Sequence, residues 1–256
     1  MPGAKRLAAA LNAVADPEDA RNLSRFFKTG KGQYGAGDKF IGVRVPATRA
    51  IARDFIDLSP GDLNDLLDSE FHEHRFAALV ILVAQYKKAD AAERSRLADF
   101  YLAAMRRGRI NNWDLVDCSA EFILGEYLYT PYPARPSDAD ASSGTGGQGP
   151  KPRDLLLRLA RSGIVWERRI AMLSTFAFIK HGDPSSTFEV ALLLLADKHD
   201  LIQKAVGWML REVGTRVDRQ LLLDFLRDHA AEMSRVSLSY ATEHLDQSER
   251  VYYRAL

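Results

Sequence analysis

The sequence predicts an all-α protein, an α-α superhelix of paired helices. Apolar residues recur at helical spacing in nearly every segment, and almost nothing alternates at period two. Three stretches, FHEHRFAALVILVAQY, VWERRIAMLSTFAFIK and LIQKAVGWMLREVG, share a polar start followed by a buried face, each with another helix after it. Similar helix pairs at intervals of about 35 to 45 residues fit a HEAT-like repeat solenoid, in which each pair buries its apolar face against its neighbours. Such stacks curve. Their concave side gathers residues from successive repeats into one groove suited to a rod-shaped partner. A four-helix bundle with added helices stays open, since no strict sequence repeat is visible.

Taken in order, helices are expected over 5–14, 17–28, 46–57, 60–68, 71–87, 91–106 and 112–129. A second series follows over 153–161, 164–181, 185–197, 200–215, 218–230 and 233–244. Several breaks have a physical cause. Pro46 suits a first helical turn, Asp183-Pro184 starts the next element, and Gly108 and Gly182 suit helix ends.

With 256 residues, 46% hydrophobic and 27% charged, the chain can bury a sizeable core and is expected to form one domain over 1–256. A net charge of +1 supplies no global pull toward polyanions, so any nucleic-acid footprint must come from charges gathered on one surface. The single cysteine, Cys118, excludes an internal disulfide. A reduced, cytoplasmic setting and a monomer are expected. No run reaches the roughly eighteen apolar residues of a membrane span, and the opening MPGAKRLAAALNAVADPED lacks a signal-peptide cleavage pattern.

Two stretches break the helical pattern. Residues 29–46, TGKGQYGAGDKFIGVRVP, are rich in glycine and cationic side chains, so their backbone can approach another surface closely. The Gly-Lys-Ser/Thr ending of a nucleotide-binding loop is absent. Residues 129–152 are rich in Pro, Gly, Ser and Asp, and a flexible insertion is expected at about 131–151.

In RINNWDLVDCSAEFILGEYL, Trp113 and Asp117 stand four apart, which on a helix places an indole and a carboxylate side by side. An aromatic face attracts a cation and a carboxylate stabilises one. On spacing alone the plainer reading is packing beside a solvated acid, with Arg109 a candidate partner for Asp117. His72 and His74 alternate, so they do not share a helix face as a metal pair would, and neither a metal nor a cofactor is expected.

Four segments in this order, RFFKTGKGQYGAGDKFIGVRVP, NNWDLVD, ERRIAMLSTFAFIK and QKAVGWMLREVG, resemble the AlkD family of DNA alkylation repair glycosylases. The likeness covers the chain apart from the 129–152 insertion. It implies an all-α stack of HEAT-like repeats holding duplex DNA in its concave groove, and hydrolytic release of cationic alkylpurines such as 3-alkyladenine and 7-alkylguanine, without base flipping. Residue by residue, it implies a catalytic carboxylate at Asp117, site tryptophans at Trp113 and Trp208, and a site arginine at Arg169. Lys28, Lys31, Arg44, Arg109, Lys204 and Arg211 are candidates for DNA backbone contacts. Two rivals stay open. One is a noncatalytic binder of unusual DNA structures, and the other is a protein-binding helical scaffold, a common use of α-solenoids.

Overall fold

The computed structural model describes residues 3–130 and 152–256. The insertion expected at 131–151 lies outside the described residues. Within them every element is helical, apart from one isolated bridge between Lys39 and Phe71. The all-α class is therefore the one the structure has. The chain divides into two compact units, Met1–Ser119 and Ala120–Leu256.

The first unit holds α1 (Gly3–Asn12), α2 (Pro17–Phe26), α3 (Val45–Arg53), α4 (Pro60–Leu67), α5 (His72–Lys88), α6 (Ala91–Arg106) and α7 (Trp113–Asp117). Caps set the starts. Asp16 accepts from the Glu18 and Asp19 N–H groups ahead of α2, Ser59 does the same for Asp62 in α4, and Asp90 for Glu93 in α6. Pro46 sits in the first turn of α3 as expected, although that helix stops at Arg53 rather than 57. Helix α5 is buried on nearly all sides, apolar from Phe76 to Ala84 after a polar first turn, and α3, α4 and α7 pack on it.

A continuous helix over 112–129 does not form. Helix α7 ends at Asp117, a turn follows, and Glu121–Gly125 takes up a π-helical turn before α8 (Glu126–Tyr129). Ser119 supplies a reason: its hydroxyl turns back to the Leu115 carbonyl at 2.5 Å and meets the buried Tyr101 hydroxyl at 3.1 Å. Such back-bonding diverts a helix from its regular ladder. The Gly125 N–H then bonds to the carbonyl of Ala120, five residues earlier, at 2.9 Å, a π-type step.

The second unit continues with α9 (Pro152–Ala160), α10 (Val165–Lys180), α11 (Ser185–Leu194), α12 (Asp200–Arg216), α13 (Arg219–His229), a 3-10 turn at Ala230–Glu232, α14 (Arg235–Ala241) and α15 (Gln247–Ala255). Helix α10 is its central helix, with α9, α11, α12 and the π turn against it. Helices α12 and α14 approach so closely that a Cβ on Gly207 would stand 2.3 Å from the Ser237 carbonyl oxygen. Helix α15 lies beyond the expected elements. Its start carries a capping box, with Asp246 and Glu249 each accepting from the other's backbone N–H.

The three related stretches become α5, α10 and α12, and they share an atomic detail. Arg75, Arg168 and Gln203 each donate from the side chain to the carbonyl six residues earlier, on Ser69, Ser162 and Asp197, at 2.9, 2.8 and 2.9 Å. The side chains of those same three residues each accept from the backbone N–H two positions on, at 3.1, 3.1 and 2.8 Å. One polar clasp thus closes the turn before each helix.

Candidate functional site

Helix α7 starts because Asn112 caps it, its side-chain oxygen accepting from the Trp113 N–H at 2.9 Å. Of its five residues, Asp114, Leu115 and Val116 are buried, and the two left part-open to solvent are Trp113 and Asp117. The indole and the carboxylate therefore share the outer face of one short helix. The Trp113 ring stacks on Phe27 with centroids 5.2 Å apart and planes at 11°, and Phe26, 64% exposed, meets it edge-on at 5.9 Å. That leaves an aromatic ledge beside Asp117.

Behind this ledge lies a buried polar cluster at the start of α5. His72 sits between two carboxylates, Nδ1 at 3.0 Å from Asp38 and Nε2 at 2.8 Å from Asp114. Asp38 also accepts from Arg75 and from the Asn112 amide, the latter at 2.8 Å. The imidazole ring stacks on Phe40 at 4.6 Å and tilts against Phe27 at 4.9 Å. Burial alone would lower the His72 pKa, but the Asp114 and Asp38 carboxylates outweigh it and hold it at about 9. Burial likewise works against the Asp38 charge, and His72, Arg75 and Asn112 offset it and keep that carboxyl below its usual range. Next along the chain, Glu73 accepts from the backbone N–H groups of Ile41, Gly42 and Val43 at 3.1, 2.9 and 3.2 Å. The glycine loop is thus tied to α5 by a buried carboxylate. Sequence reasoning missed Asp38, Asp114 and Glu73, and it weighed His72 only as a metal ligand.

In the second unit, Trp208 lies on α12, half-buried, with its Nε1–H donating to Glu212 at 3.1 Å. Glu212 also accepts from Arg211 at 3.1 Å and Arg216 at 2.7 Å. Burial pushes Glu212 up, and the bonds from Arg216, Arg211 and Trp208 outweigh it and hold its pKa down. The indole is therefore fixed by a charged cluster on its own helix. Arg169, on α10, is 5% exposed and donates to the Leu201 carbonyl in the first turn of α12 at 2.6 Å. Trp113 and Asp117 are brought together on α7, while Arg169 and Trp208 each hold a place in the second unit.

The candidate backbone-contact residues differ in how far they are already engaged. Arg44 clasps Asp19 with both Nε and Nη2, at 2.7 and 2.5 Å. Arg109 pairs with Asp68 at 2.7 Å, Lys204 pairs with Asp200 at 3.2 Å, and Arg211 is held between Glu212 and Glu243. Lys28 and Lys31 are exposed and stand outside every ion pair among the described residues. Lys28 is also the one non-glycine residue there with positive φ, 53°, just past the end of α2, where glycine is favoured. Its ammonium lies 5.6 Å from the Tyr34 ring centroid. Lys28→Gly is expected to stabilise the fold by about 1 kcal/mol while weakening duplex binding and flattening its salt dependence by roughly one counterion. Thermal melting and binding across a salt series check both halves. Unchanged binding would remove Lys28 from the DNA contacts.

Among the described residues no group of three His, Cys, Asp or Glu stands so that it can hold a metal ion, and no helix is long and apolar enough to cross a membrane.

An all-α chain of this kind, with an aromatic and acidic ledge on a short helix, belongs to a definite class. The sequence profile of the DNA alkylation repair enzymes matches residues 7–245, and the chain belongs to that family. Membership carries with it an enzyme's role in DNA repair, with DNA as the partner. Among solved structures, a predicted DNA alkylation repair enzyme from Enterococcus faecalis is similar over 91% of this chain and 97% of its own, with a TM-score of 0.63. At 15% identity that likeness speaks for the fold alone. No curated protein matches the chain.

Proposed function

We propose that this protein is a monofunctional DNA glycosylase that hydrolyses the N-glycosidic bond of cationic alkylpurines, such as 3-alkyladenine and 7-alkylguanine, in duplex DNA. The observation that carries the reading is α7, whose only two part-open residues are the indole and carboxylate of Trp113 and Asp117. Alkylation at a ring nitrogen gives the purine a fixed positive charge, so it departs neutral and leaves the sugar as an oxocarbenium-like cation. The enzyme then has to stabilise positive charge rather than protonate a leaving group. Asp117 supplies the negative charge and orients the attacking water. Trp113 and Trp208 offer ring faces to the cationic sugar, each contributing on the order of 0.5 to 2 kcal/mol in a desolvated site.

Arg169 is assigned a phosphate of the same duplex. A guanidinium can hold a phosphate through paired N–H donors, which is the role the family resemblance implies for it. In this reading the repeated polar clasps mark HEAT-like repeats, the damaged base is released without flipping, and the protein works as a cytoplasmic monomer.

The test is release of 7-methylguanine from methylated duplex, measured as free base. Release supports the reading. Salt-sensitive duplex binding with no release would favour the noncatalytic DNA binder, and absence of both would favour a protein scaffold.

A further inference from the structure

We propose that His72 is a positioning residue, clamping the glycine loop to α7 and thereby setting Trp113 and Asp117 for the reaction. The inference rests on the glycosylase reading for its catalytic arm only. Geometry makes the first argument. Both ring nitrogens face carboxylate oxygens, Asp38 at 3.0 Å and Asp114 at 2.8 Å. An ionised carboxylate only accepts, so both nitrogens must donate, and only the imidazolium has two N–H groups. In a neutral ring one nitrogen lone pair would face a carboxylate lone pair.

Two routes lead from this clamp to the ledge. Through the backbone, Asp114 is the second residue of α7, and Asp38 holds the amide of Asn112, whose oxygen holds the Trp113 N–H. Through the rings, Phe27 touches His72 on one side and stacks under Trp113 on the other. Losing the ring proton removes the positive charge between the carboxylates and leaves a single N–H donor, so one carboxylate loses its bond and the tie between α7 and the loop is loosened to the Asn112 contact with Asp38.

The charged groups around the ring are few. Asp38 comes from the loop and Asp114 from α7. On α5 itself, Arg75 is bonded to Asp38, Glu73 is turned to the loop backbone, and His74 bonds to Ser69. Leu23 on α2, Phe27 just after it, and Val45 and Thr48 on α3 line the same pocket and carry no charge, while Arg49 on α3 lies 5.3 Å from the Phe76 ring centroid and acts on Cys118 together with Asp114. The cations bonded to the two carboxylates are His72 and Arg75. Because the folded His72 value of about 9 lies above the unfolded value near 6.5, its contribution is complete below pH 6.5 and is lost as pH rises through 9. Asp38, held low, contributes above its usual value of 3.8 and loses that contribution as pH falls through its depressed value.

The test pairs a rate with a spectroscopic signal from the ledge. With Trp166 and Trp208 changed to Phe, the emission of Trp113 is expected to titrate with a midpoint near pH 9, and His72→Gln is expected to abolish that transition. In the otherwise unaltered chain near neutral pH, His72→Gln should slow single-turnover release of 7-methylguanine by about tenfold or more, with duplex affinity changed by less than about threefold. Emission that stays flat between about pH 7.5 and 10.5 overturns the proposal, as does a folded His72→Gln protein with the unaltered rate. If His72→Gln does not fold, the titration of the His72 protein decides alone. If the unaltered protein releases no alkylpurine, the glycosylase reading fails while the emission result still judges the clamp.

Discussion

Asp117→Asn is expected to slow release of 7-methylguanine by about a hundredfold or more while leaving affinity for the lesion duplex within about threefold. The substitution keeps the size and shape of the side chain and removes only its charge. In the ground state the positive charge resides on the base; as the bond breaks it moves to the sugar, and the interaction with a carboxylate strengthens along that path. An interaction gained mainly in the transition state is lost from the rate constant rather than from binding. Asp117 sits at the end of α7, part-open to solvent, and its charge is felt by the neighbouring Tyr101 and Cys118. Single-turnover kinetics with saturating enzyme, beside equilibrium binding, read the two quantities separately. An unaltered rate would remove Asp117 from catalysis.

Glu73→Ala is expected to lower the melting temperature by roughly 6 to 12 °C, the effect of about 3 kcal/mol in a chain of this size. Glu73 is 3% exposed and is the acceptor for three consecutive backbone N–H groups of the glycine loop. Truncation leaves those donors buried with no acceptor, which costs their full desolvation. The loop is closely packed there, since a Cβ built on Gly42 would stand 1.9 Å from the Asp16 carbonyl oxygen. Glu73→Gln, which can still accept, should lose less than half as much. The comparison is made by circular dichroism melting. A melting temperature unchanged in Glu73→Ala would show that the loop is held by its own turns.

The helical framework was legible because burial of an apolar face imposes a period that survives in the sequence. Gly108 and Gly182 end their helices at φ 69° and 83°, and Pro46 falls in a first turn, each for a local steric reason. The D-x-x-E signal at Asp246 and Glu249 was present before α15 and went unused, since so few apolar residues follow it. The break after Asp117 was not legible. It depends on the Ser119 hydroxyl choosing the Leu115 carbonyl and on Tyr101, eighteen residues earlier, meeting it. The same limit hid the clamp. Asp38 and Asp114 lie 34 and 42 positions on either side of His72, and no periodicity links them. Spacing found the pair that faces outward, Trp113 and Asp117, because a single helical turn places them; the residues that hold that turn still are gathered by tertiary folding.

The charge of the leaving base is what the proposed mechanism depends on most directly. A single assay presents matched duplexes carrying 7-methylguanine, uracil or hypoxanthine to the same preparation at neutral pH and measures each free base released. Uracil and hypoxanthine are neutral, and expelling them needs a proton donor at the base. An arginine guanidinium is no such donor, since that side chain does not release its proton near neutral pH. Release of 7-methylguanine with no release of uracil or hypoxanthine is the predicted result. Efficient removal of either neutral base would contradict the mechanism, whatever the fold.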